Sequence, residues 1–151
     1  MIVDQQTAIP VPIDRAWAFV TDIAAVSRCL PGVEEFEPAG DDTYLGAMKV
    51  KVGPIGIRLQ GKVAVAEQDA ENHRTRLRVE ASERRINSTV TADVTLTLVA
   101  LSDGSTELHS HTDAAIMGKL GEFGQAVMRR KADQIMDEFT RNMARNLAAQ
   151  G

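Results

Sequence analysis

With Cys29 as its only cysteine among 151 residues, the chain cannot be stapled by an intramolecular disulfide. It also lacks any apolar run near the ~20 residues that a bilayer span requires, and Met1 to Thr7 is too short and polar for a secretory leader. These absences predict a reducing, cytoplasmic setting, with membrane contact only peripheral, at the inner face, or made through another protein. No excess of positive charge is present: 17 lysines and arginines stand against 21 aspartates and glutamates, a net charge of -4. Such a molecule has no electrostatic reason to seek nucleic acid. Repeats, low-complexity tracts and linkers are missing, and the length suits a single domain over 1–151 that buries its own core.

Motifs of the common enzyme chemistries are absent too. There is no Gly-x-Ser-x-Gly elbow, phosphate-binding glycine loop, His-Glu-x-x-His or Cys-x-x-Cys. Cys29 falls near the end of a short helix beside Leu30, without the base or helix N-terminus that activates a thiol. His109 and His111 share a strand face, a spacing that can hold a metal, but that face is the polar one and no cysteine or carboxylate cluster completes a ligand set. No metal site and no catalytic residue is assigned. Tyr44, Ser110 and Thr112 on the inward side remain open to three readings: acid–base groups, anchors for the polar end of a ligand, or hydrogen-bonding members of the core.

What the chain does have is strong periodicity. Val3 to Ile9 alternates as a first strand, and Pro10 and Pro12 stop its ladder. Asp14 is placed to cap a short helix burying Ala16, Trp17, Val20 and Ile23, and a second short helix ends before Pro31-Gly32. Six more strands follow, at Val33–Pro38, Thr43–Val52, Ile57–Gln68, Thr75–Ser82, Asn87–Leu101 and Thr106–Ile116, separated by short turns that favour antiparallel neighbours. From Met117 to Leu147 the chain reads as one amphipathic helix with Leu120, Phe123, Val127, Ile135, Phe139, Met143 and Leu147 on a single stripe.

Alternation assigns the sheet faces. Tyr44, Met48, Val50, Leu59, Val79, Val94 and Leu96 fall on the apolar face, where Gly46 and Gly61 allow a sharp bend. The opposite face takes Lys49, Lys51, Arg58, Lys62, Arg76 and Arg78, a positive patch that is either a solvated surface or a docking site for an acidic partner or anionic lipid. A one-sided sheet needs a cover, and only the helices can supply it. The predicted fold is α+β, a seven-stranded curved antiparallel sheet around a long C-terminal helix with two short helices after the first strand. Such an arrangement commonly leaves an apolar cavity.

This order of elements is similar to the helix-grip fold of the START and birch-pollen-allergen (SRPBCC) superfamily. Trp17, Asp22, Pro31-Gly32, Asp42-x-Tyr44-x-Gly46, Lys49-Val50-Lys51-Val52-Gly53-Pro54 with Gly61-Lys62-Val63, and Gly118-Lys119-Leu120-x-x-Phe123-Gly124 resemble the CoxG family of carbon monoxide dehydrogenase subunits over nearly the whole chain. Ser82 to Ile86 stands where that family usually has a glycine-rich stretch, and longer relatives carry a C-terminal apolar anchor beyond the point where this sequence ends, which lowers the expectation of direct anchoring.

The resemblance implies a non-catalytic accessory of a CO-dehydrogenase-like molybdenum hydroxylase, aiding its assembly, membrane association or electron output. It implies no intrinsic cofactor, but a quinone or lipid bound in the cavity. Flexible Met48, Met117, Met128, Met136 and Met143 suit a variable apolar guest. The expected lining is Trp17, Tyr44, Met48, Val50, Leu59, Val79, Val94, Leu96, Ser110 and Thr112 from one side, and Leu120, Phe123, Val127, Ile135 and Phe139 from the helix. A small cyclase, dehydratase or hydrolase of the same superfamily, or a structural assembly factor with a filled core, are the alternative readings.

Overall fold

The computed structural model describes residues 1–149. One antiparallel sheet of seven strands runs in the order β1-β7-β6-β5-β4-β3-β2. Its strands are β1 (Ile2–Ile9), β2 (Val33–Pro38), β3 (Thr43–Val52), β4 (Ile55–Asp69), β5 (Arg74–Glu83), β6 (Ser88–Ala100) and β7 (Thr106–Gly118). Helices α1 (Ile13–Val20) and α2 (Ile23–Cys29) follow β1, and α3 (Gln125–Ala149) follows β7. This is the α+β helix-grip arrangement that the alternation and the helical stripe predict.

Two local expectations are corrected. Asp14 does not cap α1: Pro12 holds the N-cap position without a side-chain cap, and Asp14 lies inside the first turn, where its charge meets the positive end of the helix. In α2 the cap is made, as Asp22 accepts the N–H of Ala25 at 3.2 Å. The terminal helix does not start at Met117 either. Pairing of Ser88 with Gly118 carries β7 past that point. Gly118 (φ 83°) and Gly124 (φ 88°) then bracket a one-turn 3-10 helix, Lys119–Phe123, before α3 begins at Gln125.

Two apolar clusters form under the sheet. The larger joins Ile9, Phe19, Val20, Leu98 and Leu108 to Phe139, Met143 and Leu147 in the second half of α3. The smaller packs Leu120 against Val52 and Ile57, with Phe123, Val127 and Met128 at its border. Here Leu120 also donates its backbone N–H to Ser88 Oγ at 2.9 Å. Hydrogen bonds also tie α3 to the rest of the fold along its length. Arg129 reaches the carbonyl of Ile2 (2.6 Å), Asn142 that of Cys29 (2.9 Å), and Arg15 caps Leu147 from outside the helix (2.9 Å).

The inward glycines fall in one cross-strand row, Gly46 facing Gly61 and Gly61 facing Ala81. A Cβ on Gly61 would run into the Glu80 carbonyl and Ala81, and one on Gly46 would come within 2.8 Å of the Glu35 carbonyl. The backbones approach too closely there for any side chain.

Candidate functional site

Between the clusters lies an apolar hollow of about 280 Å³. Its floor is the sheet, with Val63, Leu77, Val79, Val94, Leu96 and Thr112; its roof is Ala132, Ile135, Met136 and Phe139 of α3; Ile23, Val26, Leu30 and Phe36 close one side. Many of these side chains lie between helix and sheet yet are only half-buried, since the surface they retain faces the hollow: Val63, Val79, Val94, Ala132, Ile135 and Met136 among them. The space exists because short side chains meet there. Ala132 on the helix and Thr112 and Ala114 on β7 are all short and all line it, so none of them fills it. The hydroxyls are those of Thr112 and Ser27, and Ser27 already donates to the Ala24 carbonyl at 2.7 Å.

Of the expected lining, Val79, Val94, Leu96, Thr112, Ile135 and Phe139 are brought together around this hollow. The others lie elsewhere, each for a visible reason. Val50, Leu59, Leu120, Phe123 and Val127 meet in the smaller cluster, around Val52 and Ile57 beside the β3–β4 turn. Trp17 packs on the larger cluster and sets its ring edge-on to His73 at 5.6 Å. Tyr44 stacks on Phe36 at 5.3 Å, one layer behind the wall. Ser110 is buried outside the lining, and Met48 borders a neighbouring polar groove. Residues not anticipated include Phe36, Val26 and Ala132, while Met136, expected as a flexible methionine, is not among the predicted lining. Ala132 and Met136 follow from the helical period once small and flexible residues beside Ile135 are counted with the stripe.

The predicted positive patch of Lys49, Lys51, Arg58, Lys62, Arg76 and Arg78 is neither continuous nor uniformly positive, since Lys49 and Lys51 border a groove between β3 and α3. Strand β2 lays Glu34 and Glu35 alongside, so Arg58 pairs with both (2.9 and 3.2 Å) and Lys49 approaches Glu34 (3.8 Å). Arg78 pairs with Asp93 at 2.8 Å. Lys51, Lys62 and Arg76 form no ion pair among the described residues. The two histidines of β7 do not converge on one point: His109 meets Glu107 at 2.6 Å and His111 meets Asp4 at 2.5 Å. Cys29 is buried, and that burial pushes its thiol pKa up against the opposing pull of Arg28, the reverse of activation.

The model of the CoxG family, the carbon monoxide dehydrogenase subunits of that name, matches residues 6–148. The chain belongs to the CoxG family. No curated protein sequence matches it significantly. Among solved structures, this CoxG chain is similar to a conserved protein from Geobacillus kaustophilus, at 17% identity over 99% of this chain and 96% of that one, with a TM-score of 0.89. It is also similar to a START superfamily protein from Mycobacterium smegmatis (8% identity, 99% of each chain, TM-score 0.74). The Zhui aromatase/cyclase from Streptomyces sp. R1128 shares the fold at 14% identity over 99% of this chain and 92% of that one, with a TM-score of 0.61. At these identities the likenesses establish the fold.

Proposed function

We propose that this CoxG-family protein carries an apolar molecule, a quinone or a lipid, in the hollow between α3 and the sheet, and does no chemistry on it. The role fits an accessory of a CO-dehydrogenase-like molybdenum hydroxylase, assisting its assembly, membrane association or electron output. The observation that supports this reading best is the hollow itself. Its volume lies just under the ~300–1,000 Å³ of ordinary small-molecule sites, and apolar side chains line it, with Thr112 and Ser27 supplying its hydroxyls.

A binding role is favoured over catalysis because, among the described residues, no titratable side chain lines the hollow. Proton transfer needs an acid or base within hydrogen-bond reach of the reacting atom. The smaller reading, a structural factor with a filled core, is disfavoured by the open space. What this chain supplies is shape and exclusion of water. No helix among the described residues is long and apolar enough to cross a membrane, so membrane association would proceed through surface contact or a partner.

Organic extraction of gently purified protein, followed by mass spectrometry, tests the proposal. A quinone or lipid recovered at near one per chain is expected, together with co-purification of molybdenum hydroxylase subunits. Extracts that match a buffer blank would overturn the carrier role.

A further inference from the structure

Because the side chains lining the hollow offer no polar group beyond the hydroxyls of Thr112 and Ser27, a charged group on its guest has to sit beside it. The adjoining space is a groove of about 430 Å³ between α3, β3 and the Pro31-Gly32 turn. Ile135 lines both spaces, and Leu30 lines the hollow immediately before Pro31 enters the groove. The groove carries Lys49, Lys51, Lys131 and Arg141, along with Asp137 and Glu138.

Lys131 is the informative member. It is half-buried and lies one helical turn before Ile135, on the side of α3 that meets the hollow. Neither Lys131 nor Lys51 forms an ion pair among the described residues, whereas Arg58, Arg74 and Arg78 on the sheet are all paired. The groove's carboxylates do not serve Lys131. Glu138 stands two turns further along α3, about 10 Å along the axis, and both it and Asp137 fall within one turn of Arg141. Strand β3 holds no acidic residue beside Lys51. Lys131 and Lys51 therefore offer the groove two cations without an ion-pair partner among the described residues, free to meet an anion arriving with the guest.

We propose that the guest is an amphiphile with a single anionic head, a carboxylate or phosphate, whose chain fills the hollow while Lys131 and Lys51 hold the head in the groove. This rests on the carrier reading and narrows it to acidic lipids.

Titration calorimetry with decanoate, decanol and decyl phosphate at low salt tests it. Decanoate binds about tenfold more tightly than decanol, as one charge-assisted contact provides. In the Lys51→Gln/Lys131→Gln variant decanoate falls to the level of decanol, decanol itself is unaffected, and Lys131→Arg retains the preference. Decyl phosphate binding above decanoate assigns a phosphate head, and the reverse order a carboxylate. Equal binding of decanoate and decanol, or a double variant that keeps the preference, overturns the head-group site while leaving the carrier reading intact. If none of the three ligands binds but menaquinone does, the head-group site is overturned and the carrier reading stands; if menaquinone fails as well, the carrier reading itself fails.

Discussion

Single residues carry much of the architecture here, and Glu83 shows how. Only 6% exposed, it sits at the end of β5, and its carboxylate gathers three sets of donors. The Arg85 guanidinium (3.2 Å), the Arg58 backbone N–H (3.0 Å) and the Arg85 backbone N–H (3.2 Å) hold its pKa down to about 2 from the usual 4.5. A carboxyl depressed on folding stabilises the fold above its unfolded pKa and loses that contribution as pH falls through the folded one. Thermal midpoints of the parent and Glu83→Gln should therefore differ most at neutral pH, and the gap should close between pH 4.5 and about 2. A gap independent of pH would contradict this role. At Gly61 the constraint is steric: Gly61→Ala should cost about 1–3 kcal/mol in urea unfolding. Gly56→Ala, whose Cβ meets nothing within 4 Å, should stay within about 0.5 kcal/mol of the parent.

Among the helices and strands, α3 does three jobs along one stripe. Its first turn borders the smaller cluster at Val127, its last turns fill the larger one at Met143 and Leu147, and the stretch from Ala132 to Phe139 roofs the hollow. Met143, fully buried, should cost about 2–5 kcal/mol when changed to Ala. Ala132→Leu should leave the unfolding midpoint level or raised, because it adds contacts to open space; a loss comparable to that of Met143→Ala would mean that the hollow is not there. The stripe, the strands and their faces were legible from the sequence because the periods 3.6 and 2 are local properties. The start of α3 was not, since Leu120 and Phe123 keep the helical spacing while standing in a 3-10 turn between two left-handed glycines. Nor could periodicity separate packed stripe residues from cavity-lining ones. That depends on what lies across the fold, such as the short Ala114 and Thr112 on the sheet side of the hollow. The ion pairs of Arg58 depended in the same way on where β2 laid Glu34 and Glu35.

Taken together, the sheet and α3 bound an apolar hollow beside the larger cluster. Docking of a partner enzyme would fall on the outer face, where Lys62 and Arg76 remain free of ion pairs among the described residues. Reversing both to Glu should weaken co-purification with a molybdenum hydroxylase and move the thermal midpoint little, because exposed charges contribute about 0–1 kcal/mol. Undiminished co-purification would place docking elsewhere. The central claim is that the enclosed space accepts an apolar guest, and native mass spectrometry after incubation with menaquinone or a fatty acid measures it most directly. The parent should acquire the mass of one ligand and Ala132→Trp, whose indole fills the hollow, should stay empty. A parent that stays empty with every ligand, or a variant that loads equally well, would contradict it.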